Sequence, residues 1–152
     1  MENQNNMIVA EIQLSYKSKV KASDRPTINK SQDAFRVLQN HWNFDVIDFL
    51  EEFKVILLNR ANRVLGIIDI SVGGTAATIA DPKVIFVAAL KSAANGIIIV
   101  HNHPSGELKP SNADIELTRK IKEGGKLLDV SILDHIILSR DGYWSFADEG
   151  MI

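Results

Sequence analysis

The stretch HNHPSGELKPSNAD, residues 101–114, constrains the fold of this chain more than any other part of the sequence. The apolar run GIIIV, residues 96–100, leads directly into it, and a charged amphipathic segment follows it. A short continuous apolar run predicts a buried strand, and a Ser followed three residues later by an acid is typical of a helix start. The stretch therefore predicts a strand, a turn and a helix, with polar side chains gathered at the turn.

Other segments predict a sheet and helices around this corner. The predicted strands are residues 7–16, 51–59, 64–72, 96–101, 130–138 and 143–146, the last two joined by an Asp-Gly turn at 141–142. The predicted helices run from Asn29 or Ser31 to about residue 42, from Asp81-Pro82 to residue 94, and from residue 111 to 123, closed by Gly124-Gly125. The second helix is apolar over much of its surface, which predicts burial on more than one side. The order of elements predicts one globular unit with a central sheet and helices on its faces.

Charge and composition narrow the class of protein. The formal net charge is −2, so the chain as a whole offers no general attraction to a nucleic-acid backbone. Association with DNA stays possible, but the charge does not support it. The basic residues Lys17, Lys19, Lys21 and Arg25 are interpreted as lysine-rich protection of a sheet edge.

The absence of cysteine excludes disulfides and thiolate metal sites. The N-terminus is polar and residues 84–90 are too few to span a membrane, so we expect a cytoplasmic protein with no membrane association.

Two histidines stand one residue apart at the end of the predicted strand. On an extended chain residues i and i+2 point to the same side, so the rings of His101 and His103 can converge on one point. Neutral imidazole is the commonest metal ligand in proteins. The alternative is that both histidines merely lie in a polar loop.

Asp114 follows at the start of the predicted third helix. Ser111 and Asp114 have the spacing of a capping box, so both residues can serve simply to begin the helix. A side chain in the first helical turn also projects towards the end of the preceding strand. Two imidazoles and one carboxylate leave a fourth position of a tetrahedral zinc ion open, which is typical of catalytic zinc sites.

The spacing of these residues resembles a known signature. His101-x-His103, seven residues, Ser111, two residues and Asp114 match the His-x-His-x7-Ser-x2-Asp pattern of the JAMM metalloproteases. The turn HNHPSG, with the later stretches LDHIIL and DGYWSF, is similar to the RadC branch of that superfamily. We therefore expect residues 51–152 to form a RadC-like JAB/MPN domain, and residues 1–50 to be an extension of strand, loop and helix that packs on the core.

The resemblance implies a fold and a chemistry. JAMM domains have an α/β fold, a cytidine-deaminase-like α/β/α sandwich with a curved mixed central sheet and zinc at one end. Carried over to this chain, His101, His103 and Asp114 would be zinc ligands, and Ser111 would stabilise the oxyanion of a tetrahedral intermediate. A glutamate would hold the water that zinc activates.

That glutamate has two candidates. RadC-like sequences carry the pattern Glu-x-Phe-x-Val at a strand start, and residues 51–55, EEFKV, fit it with Glu51 in the first position. Glu51 shares a face of the strand with Phe53, whereas Glu52 shares the other face with Lys54. Glu51 is therefore the predicted catalytic glutamate and Glu52 the alternative.

Asp134 and His135 lie in a later predicted strand. They belong to the LDHIIL stretch, and we interpret them as a satisfied core pair, or as residues that support a ligand from behind, rather than as ligands themselves.

Three functions are consistent with the sequence. The resemblance favours a zinc-dependent hydrolase that cleaves a peptide or isopeptide bond in a peptide or protein substrate. The second is a DNA-repair accessory or nucleic-acid-processing factor, in keeping with the traditional label of the family. The third is a non-catalytic interaction module of the MPN type. Full-length RadC-like proteins usually carry an N-terminal part similar to helix-hairpin-helix modules, but residues 1–50 here begin with a predicted strand, which weakens the second function.

Overall fold

The computed structural model describes residues 8–74 and 80–152, and these residues form five strands and three α-helices. The strands are β1 (Glu52–Leu58), β2 (Val64–Val72), β3 (Gly96–Asn102), β4 (Ser131–Leu138) and β5 (Tyr143–Ser145). The helices are α1 (Ser31–Gln39), α2 (Pro82–Lys91) and α3 (Asn112–Leu127), with a short 3-10 helix at Ala22–Asp24. The strands predicted from residue 51 onwards and the three predicted helices are confirmed, apart from shifts at their ends.

The strands form one mixed sheet in the order β2-β1-β3-β4-β5. β1 pairs antiparallel with both β2 and β3, β3 pairs parallel with β4, and β5 returns antiparallel along β4. β3 lies at the centre and every one of its residues is buried, as its continuous apolar run predicts. Its carboxyl end, where the sequence places His101, is therefore enclosed by strands on both sides.

Helices cover both faces of the sheet. Two clusters of buried residues lie on opposite faces, one joining α1 to the sheet and the other joining α2 and α3 to it. In β3, Ile98 and Val100 belong to the α1 side, whereas Ile97 and Ile99 belong to the side of α2 and α3. The predicted α/β/α arrangement with a mixed central sheet is confirmed. Because side chains alternate along a strand, His101 continues on the face that α3 covers.

The predicted strand at residues 7–16 is wrong over its described part. Residues 8–16 are assigned to no strand, and large apolar side chains such as Ile8 and Ile12 are more than four-fifths exposed. The Tyr16 hydroxyl donates a hydrogen bond to the Leu65 carbonyl at 2.6 Å. Alternation of apolar residues makes a strand only when a partner supplies the ladder, and residues 8–16 have none within the described ranges. Residue 7 and the segment 75–79 lie outside the described residues.

The starts of α1 and α2 follow two capping arrangements. Lys30 is the N-cap of α1 rather than Asn29 or Ser31, and the Asp33 carboxylate accepts the Asn29 and Lys30 backbone N–H groups at 3.0 and 3.2 Å. The predicted Asp81 cap of α2 is confirmed, since its side chain accepts the Lys83 N–H at 2.9 Å.

α2 is buried on one side only. Its buried residues are Ile85, Ala88 and Ala89, whereas Val84, Val87 and Leu90 are exposed, so the prediction of burial on several sides is wrong. No helix in residues 8–74 and 80–152 combines the length and apolar character that crossing a membrane requires.

Two glycines lie inside α3 instead of ending it. A Cβ on Gly124 would sit 2.9 Å from the Phe86 ring of α2, and a Cβ on Gly125 would clash with the Val130 carbonyl oxygen. The helix continues to Leu127, and Asp129 takes the left-handed conformation (φ 54°) that follows its end. The glycines therefore allow close packing against α2 and β4, which the sequence pattern alone could not distinguish from termination.

We expect Gly125→Ala to lower the free energy of unfolding by about 1–3 kcal/mol, because the added methyl group meets backbone rather than a movable side chain. The matched control is Gly66→Ala in β2, where a Cβ meets nothing within 4 Å. We expect the control to be neutral or slightly stabilising. Urea denaturation of both variants measures the difference, and equal midpoints would contradict the packing role of Gly125.

Candidate metal centre

β3 carries one histidine at its end and holds the next just beyond it. The His101 ring is 1% exposed and stacks on Phe53 of β1, with ring centroids 5.7 Å apart and planes 10° apart. His103 follows on the same side of the chain and is partly buried. The two Nε2 atoms come to 2.9 Å from each other. The structure thus brings the predicted histidine pair together.

The start of α3 delivers a carboxylate to the same point. Ser111 and Asp114 form a reciprocal capping box, in which Asp114 N donates to Ser111 Oγ at 3.1 Å and Ser111 N donates to Asp114 Oδ2 at 2.7 Å. This fixes the Asp114 side chain with Oδ1 3.1 Å from His101 Nε2 and Oδ2 3.4 Å from His103 Nε2. The two alternatives for Asp114, capping and site residue, therefore coexist in one conformation.

The spacing of these atoms suits a single tetrahedral ion. Two atoms bound at 2.0–2.1 Å to one tetrahedral zinc lie about 3.3 Å apart. The distances among His101 Nε2, His103 Nε2 and the Asp114 oxygens are 2.9, 3.1 and 3.4 Å. Glu51 joins the two histidines in a group whose ligand atoms all lie within 4.8 Å of one another. This group could hold a metal ion.

The hydrogen bond at the far side of the His103 ring leaves a lone pair that faces the candidate metal centre. His103 Nδ1 lies 2.6 Å from the Glu107 carbonyl oxygen, which can only accept, so Nδ1 carries a proton and Nε2 of the neutral ring does not. That Nε2 faces His101 Nε2 and the Asp114 carboxylate. These facing acceptor atoms are stabilised by a positive charge between them, which is either a proton or a metal ion.

The pKa values of His103 and Asp114 are both shifted in the direction that favours a positive charge beside the carboxylate. The hydrogen bond to Asp114 raises the pKa of His103 above its ordinary value, although burial opposes the shift. Burial by itself would raise the pKa of Asp114, but the neighbouring imidazoles of His101 and His103, whose Nε2 atoms lie 3.1 and 3.4 Å from its oxygens, outweigh burial and hold that pKa well below its usual range. The carboxylate is therefore ionised, as metal ligation requires.

The two candidate glutamates point to different places. Glu51 precedes β1, is 9% exposed and lies in the group with His101 and His103. Glu52 Oε1 lies 3.6 Å from Lys54 Nζ, on the face of the sheet that α1 covers. The geometry thus brings Glu51, not Glu52, to the candidate metal centre. The predicted catalytic roles of Glu51 and Ser111 stay predictions.

Asn102, between the two histidines, is a residue that the sequence reasoning missed. Its side chain is fully buried on the opposite face, where Nδ2 donates to the carbonyl oxygens of Ile47 and Leu50 at 2.7 and 2.8 Å. Its Oδ1 accepts the Glu52 N–H at 2.8 Å. All its strong hydrogen-bonding groups are used, and they tie the segment that carries Glu51 to β3.

Asp134 and His135 have separate environments. Asp134 accepts hydrogen bonds from Ser145 Oγ, His135 N and Ala147 N, at 2.6, 2.7 and 3.0 Å. Burial raises the pKa of this carboxyl, and its bonds are those of a structural core residue. His135 instead contacts the candidate centre, since its Nε2 lies 2.8 Å from His101 Nδ1. Burial lowers the pKa of His135 well below its ordinary value.

Thr118 is a second residue that the sequence reasoning missed. Its Oγ1 lies 2.6 Å from His135 Nδ1 and donates to the Asp114 carbonyl oxygen, also at 2.6 Å. The only signal in the sequence is its position one helical turn after Asp114, which is too common to be diagnostic.

Comparison with known proteins identifies a family. The family model described as RadC-like JAB domain matches residues 28–151, which extends the expected region of resemblance to before residue 51. A UPF0758 protein of Flavobacterium johnsoniae is 47% identical over 126 residues, covering 82% of this chain and 53% of the relative. A UPF0758 protein of Desulfitobacterium hafniense is 38% identical over 128 residues, covering 84% and 55%. The chain spans about half the length of these relatives.

We expect metal analysis of the purified protein to find about one zinc ion per chain, because His101 Nε2, His103 Nε2 and the Asp114 carboxylate have the spacing of ligands to a single ion. His103→Ala should reduce bound zinc to background, since it removes one of the predicted ligands, while the stacking of His101 on Phe53 is retained. The control is His41→Ala, whose exposed ring lies beside the Val37 carbonyl oxygen at 2.8 Å. Zinc retained by His103→Ala at the level of the control would exclude this centre.

Proposed function

This chain belongs to the RadC-like JAB domain family, and we propose that it is a zinc-dependent hydrolase that cleaves a peptide or isopeptide bond. The observation that carries the proposal is the meeting of two imidazole nitrogens, one ionised carboxylate and Glu51 at the end of a buried strand. This ligand set leaves room for water or substrate, as catalytic zinc sites do.

His101, His103 and Asp114 would hold the ion. Their ligand atoms face one another, and each side chain is held by a neighbour: His101 stacks on Phe53, His103 bonds to the Glu107 carbonyl oxygen, and Asp114 belongs to the capping box. A zinc ion bound there would polarise a substrate carbonyl and lower the pKa of water towards neutrality.

Glu51 is the residue proposed to move the proton. Its carboxylate lies within reach of the histidine pair, so it can accept the proton that an attacking water loses and return it to the leaving nitrogen. The hydrogen bonds of Asn102 to Ile47, Leu50 and Glu52 would keep the Glu51 backbone in place during both transfers.

Ser111 is proposed to act at the substrate carbonyl. Its Oγ accepts the Asp114 N–H at the start of α3, and accepting that bond does not use its own O–H. The hydroxyl can therefore donate to the oxygen on which negative charge develops, where a single such donor is worth about 2.7–4 kcal/mol in related chemistry. The side chain is exposed, as contact with a substrate requires.

We expect Glu51→Gln to retain zinc and to lower kcat on the order of 10²- to 10⁴-fold, because the amide cannot accept the proton. The matched control is Glu52→Gln, which changes the neighbouring residue on the other face and should keep most of the activity. The rates are measured on peptides and on ubiquitin-like conjugates, with nucleic acids as a third substrate class.

Three outcomes would contradict the proposal in different ways. Activity that survives in Glu51→Gln but falls in Glu52→Gln would reverse the assignment of the glutamate. Zinc-dependent cleavage of nucleic acid alone would favour the nucleic-acid-processing function. Zinc binding without turnover on any of the three classes would favour the interaction module.

A further inference from the structure

His135 of β4 stands directly behind the proposed ligand His101. Its side chain is fully buried, and its ring stacks on Phe146 with centroids 4.6 Å apart. Both ring nitrogens have polar partners: Nε2 lies 2.8 Å from His101 Nδ1, and Nδ1 lies 2.6 Å from Thr118 Oγ1. A buried ring with both nitrogens bonded has a fixed orientation.

The direction of these hydrogen bonds follows from the Thr118 hydroxyl. That hydroxyl has one proton, and it donates it to the Asp114 carbonyl oxygen at 2.6 Å. Towards His135 it must therefore accept, so His135 Nδ1 carries a proton. In a neutral ring this leaves a lone pair on His135 Nε2, which accepts the proton of His101 Nδ1.

The same direction follows from the opposite end. His101 Nε2 faces His103 Nε2 at 2.9 Å and Asp114 Oδ1 at 3.1 Å, so as a metal ligand it must present a lone pair. Its proton then sits on Nδ1 and is donated to His135 Nε2. Both ends give one consistent series of donors, from His101 through His135 and Thr118 to the backbone of Asp114.

We propose that His135 and Thr118 are positioning residues that hold His101 in the Nδ1–H tautomer, with its Nε2 lone pair directed at the metal position. The series of hydrogen bonds from His101 through His135 and Thr118, called the relay below, ends on the backbone of Asp114, whose side chain faces His101 Nε2. The relay therefore links the positions of the two proposed ligands His101 and Asp114. The proposal rests on the metal-binding part of the proposed function and not on the identity of the substrate.

The tautomer is measured directly in the metal-free protein. Long-range ¹H–¹⁵N correlation spectra of histidine-labelled protein, recorded at mildly alkaline pH, distinguish Nδ1–H from Nε2–H rings. We expect both His101 and His135 to be Nδ1–H. An Nε2–H tautomer at His101 in the wild-type protein would overturn the proposal.

A pair of variants at Thr118 separates positioning from packing. Thr118→Val keeps the shape but removes the acceptor for His135 Nδ1–H, so we expect the two tautomers to change and zinc affinity to fall about tenfold or more in chelator competition. Thr118→Ser restores the hydroxyl and should restore both properties. Unchanged tautomers and affinity in a folded Thr118→Val protein would contradict the relay.

A second variant covers the case in which Thr118→Val does not fold. His135→Phe keeps an aromatic ring against Phe146 but removes the acceptor of His101 Nδ1–H, and it should weaken zinc binding and raise the Nε2–H fraction of His101. His101 still wholly Nδ1–H in this variant, with wild-type zinc affinity, would count against the proposal.

These results are independent of the hydrolytic activity. A wild-type protein with the expected tautomers and bound zinc, but with no cleavage of any substrate, would refute the proposed function and support the positioning role. An active zinc enzyme whose His101 is Nε2–H in the metal-free state would do the reverse.

Discussion

Three groups meet at the carboxyl end of β3, and without a proton each of them can only accept hydrogen bonds. His101 Nε2, His103 Nε2 and the Asp114 carboxylate lie 2.9–3.4 Å apart, although such groups repel one another without a positive charge between them. The fold holds them together by stacking on Phe53, by the Glu107 carbonyl and by the capping box of α3. The need for a cation is therefore built into the fold, and the raised pKa of His103 is its expression in the metal-free protein.

Several residues serve the structure and the centre together. The Ser111–Asp114 capping box begins α3 and aims the carboxylate, so one pair of hydrogen bonds does both. Asn102 satisfies three backbone groups on the α1 side of the sheet and thereby fixes the segment that leads to Glu51. Substitutions at such positions change the stability of the fold and the geometry of the candidate centre together, because neither role can be removed alone.

The parts of the fold that depend on local pattern could be predicted from the sequence. β2 has the predicted bounds, and the alternation of Glu51 and Phe53 against Glu52 and Lys54 correctly separated the faces of β1. The parts that depend on tertiary contacts could not. The glycines of α3 look like a helix end until α2 and β4 are packed against them, and residues 8–16 look like a strand although no ladder partner meets them in the described residues. The relay through Thr118 needed α3 to lie beside β4, which no spacing reveals.

The alternation along β3 has a consequence for how the protein acquires its centre. His101 and its apolar neighbours Ile97 and Ile99 lie on one face, and Asn102 with Ile98 and Val100 lies on the other. If the strand paired one residue out of step, the histidine would enter the α1 core and the amide would take its place beside Asp114. Such a misfolded sheet would keep almost the same apolar content in both layers, yet it would lose the candidate metal centre and leave buried polar groups without partners. His101 and Asn102, the polar end of β3, thus specify the register of the strand. They destabilise chains that pair in the wrong register, whereas the apolar residues alone distinguish the two registers poorly.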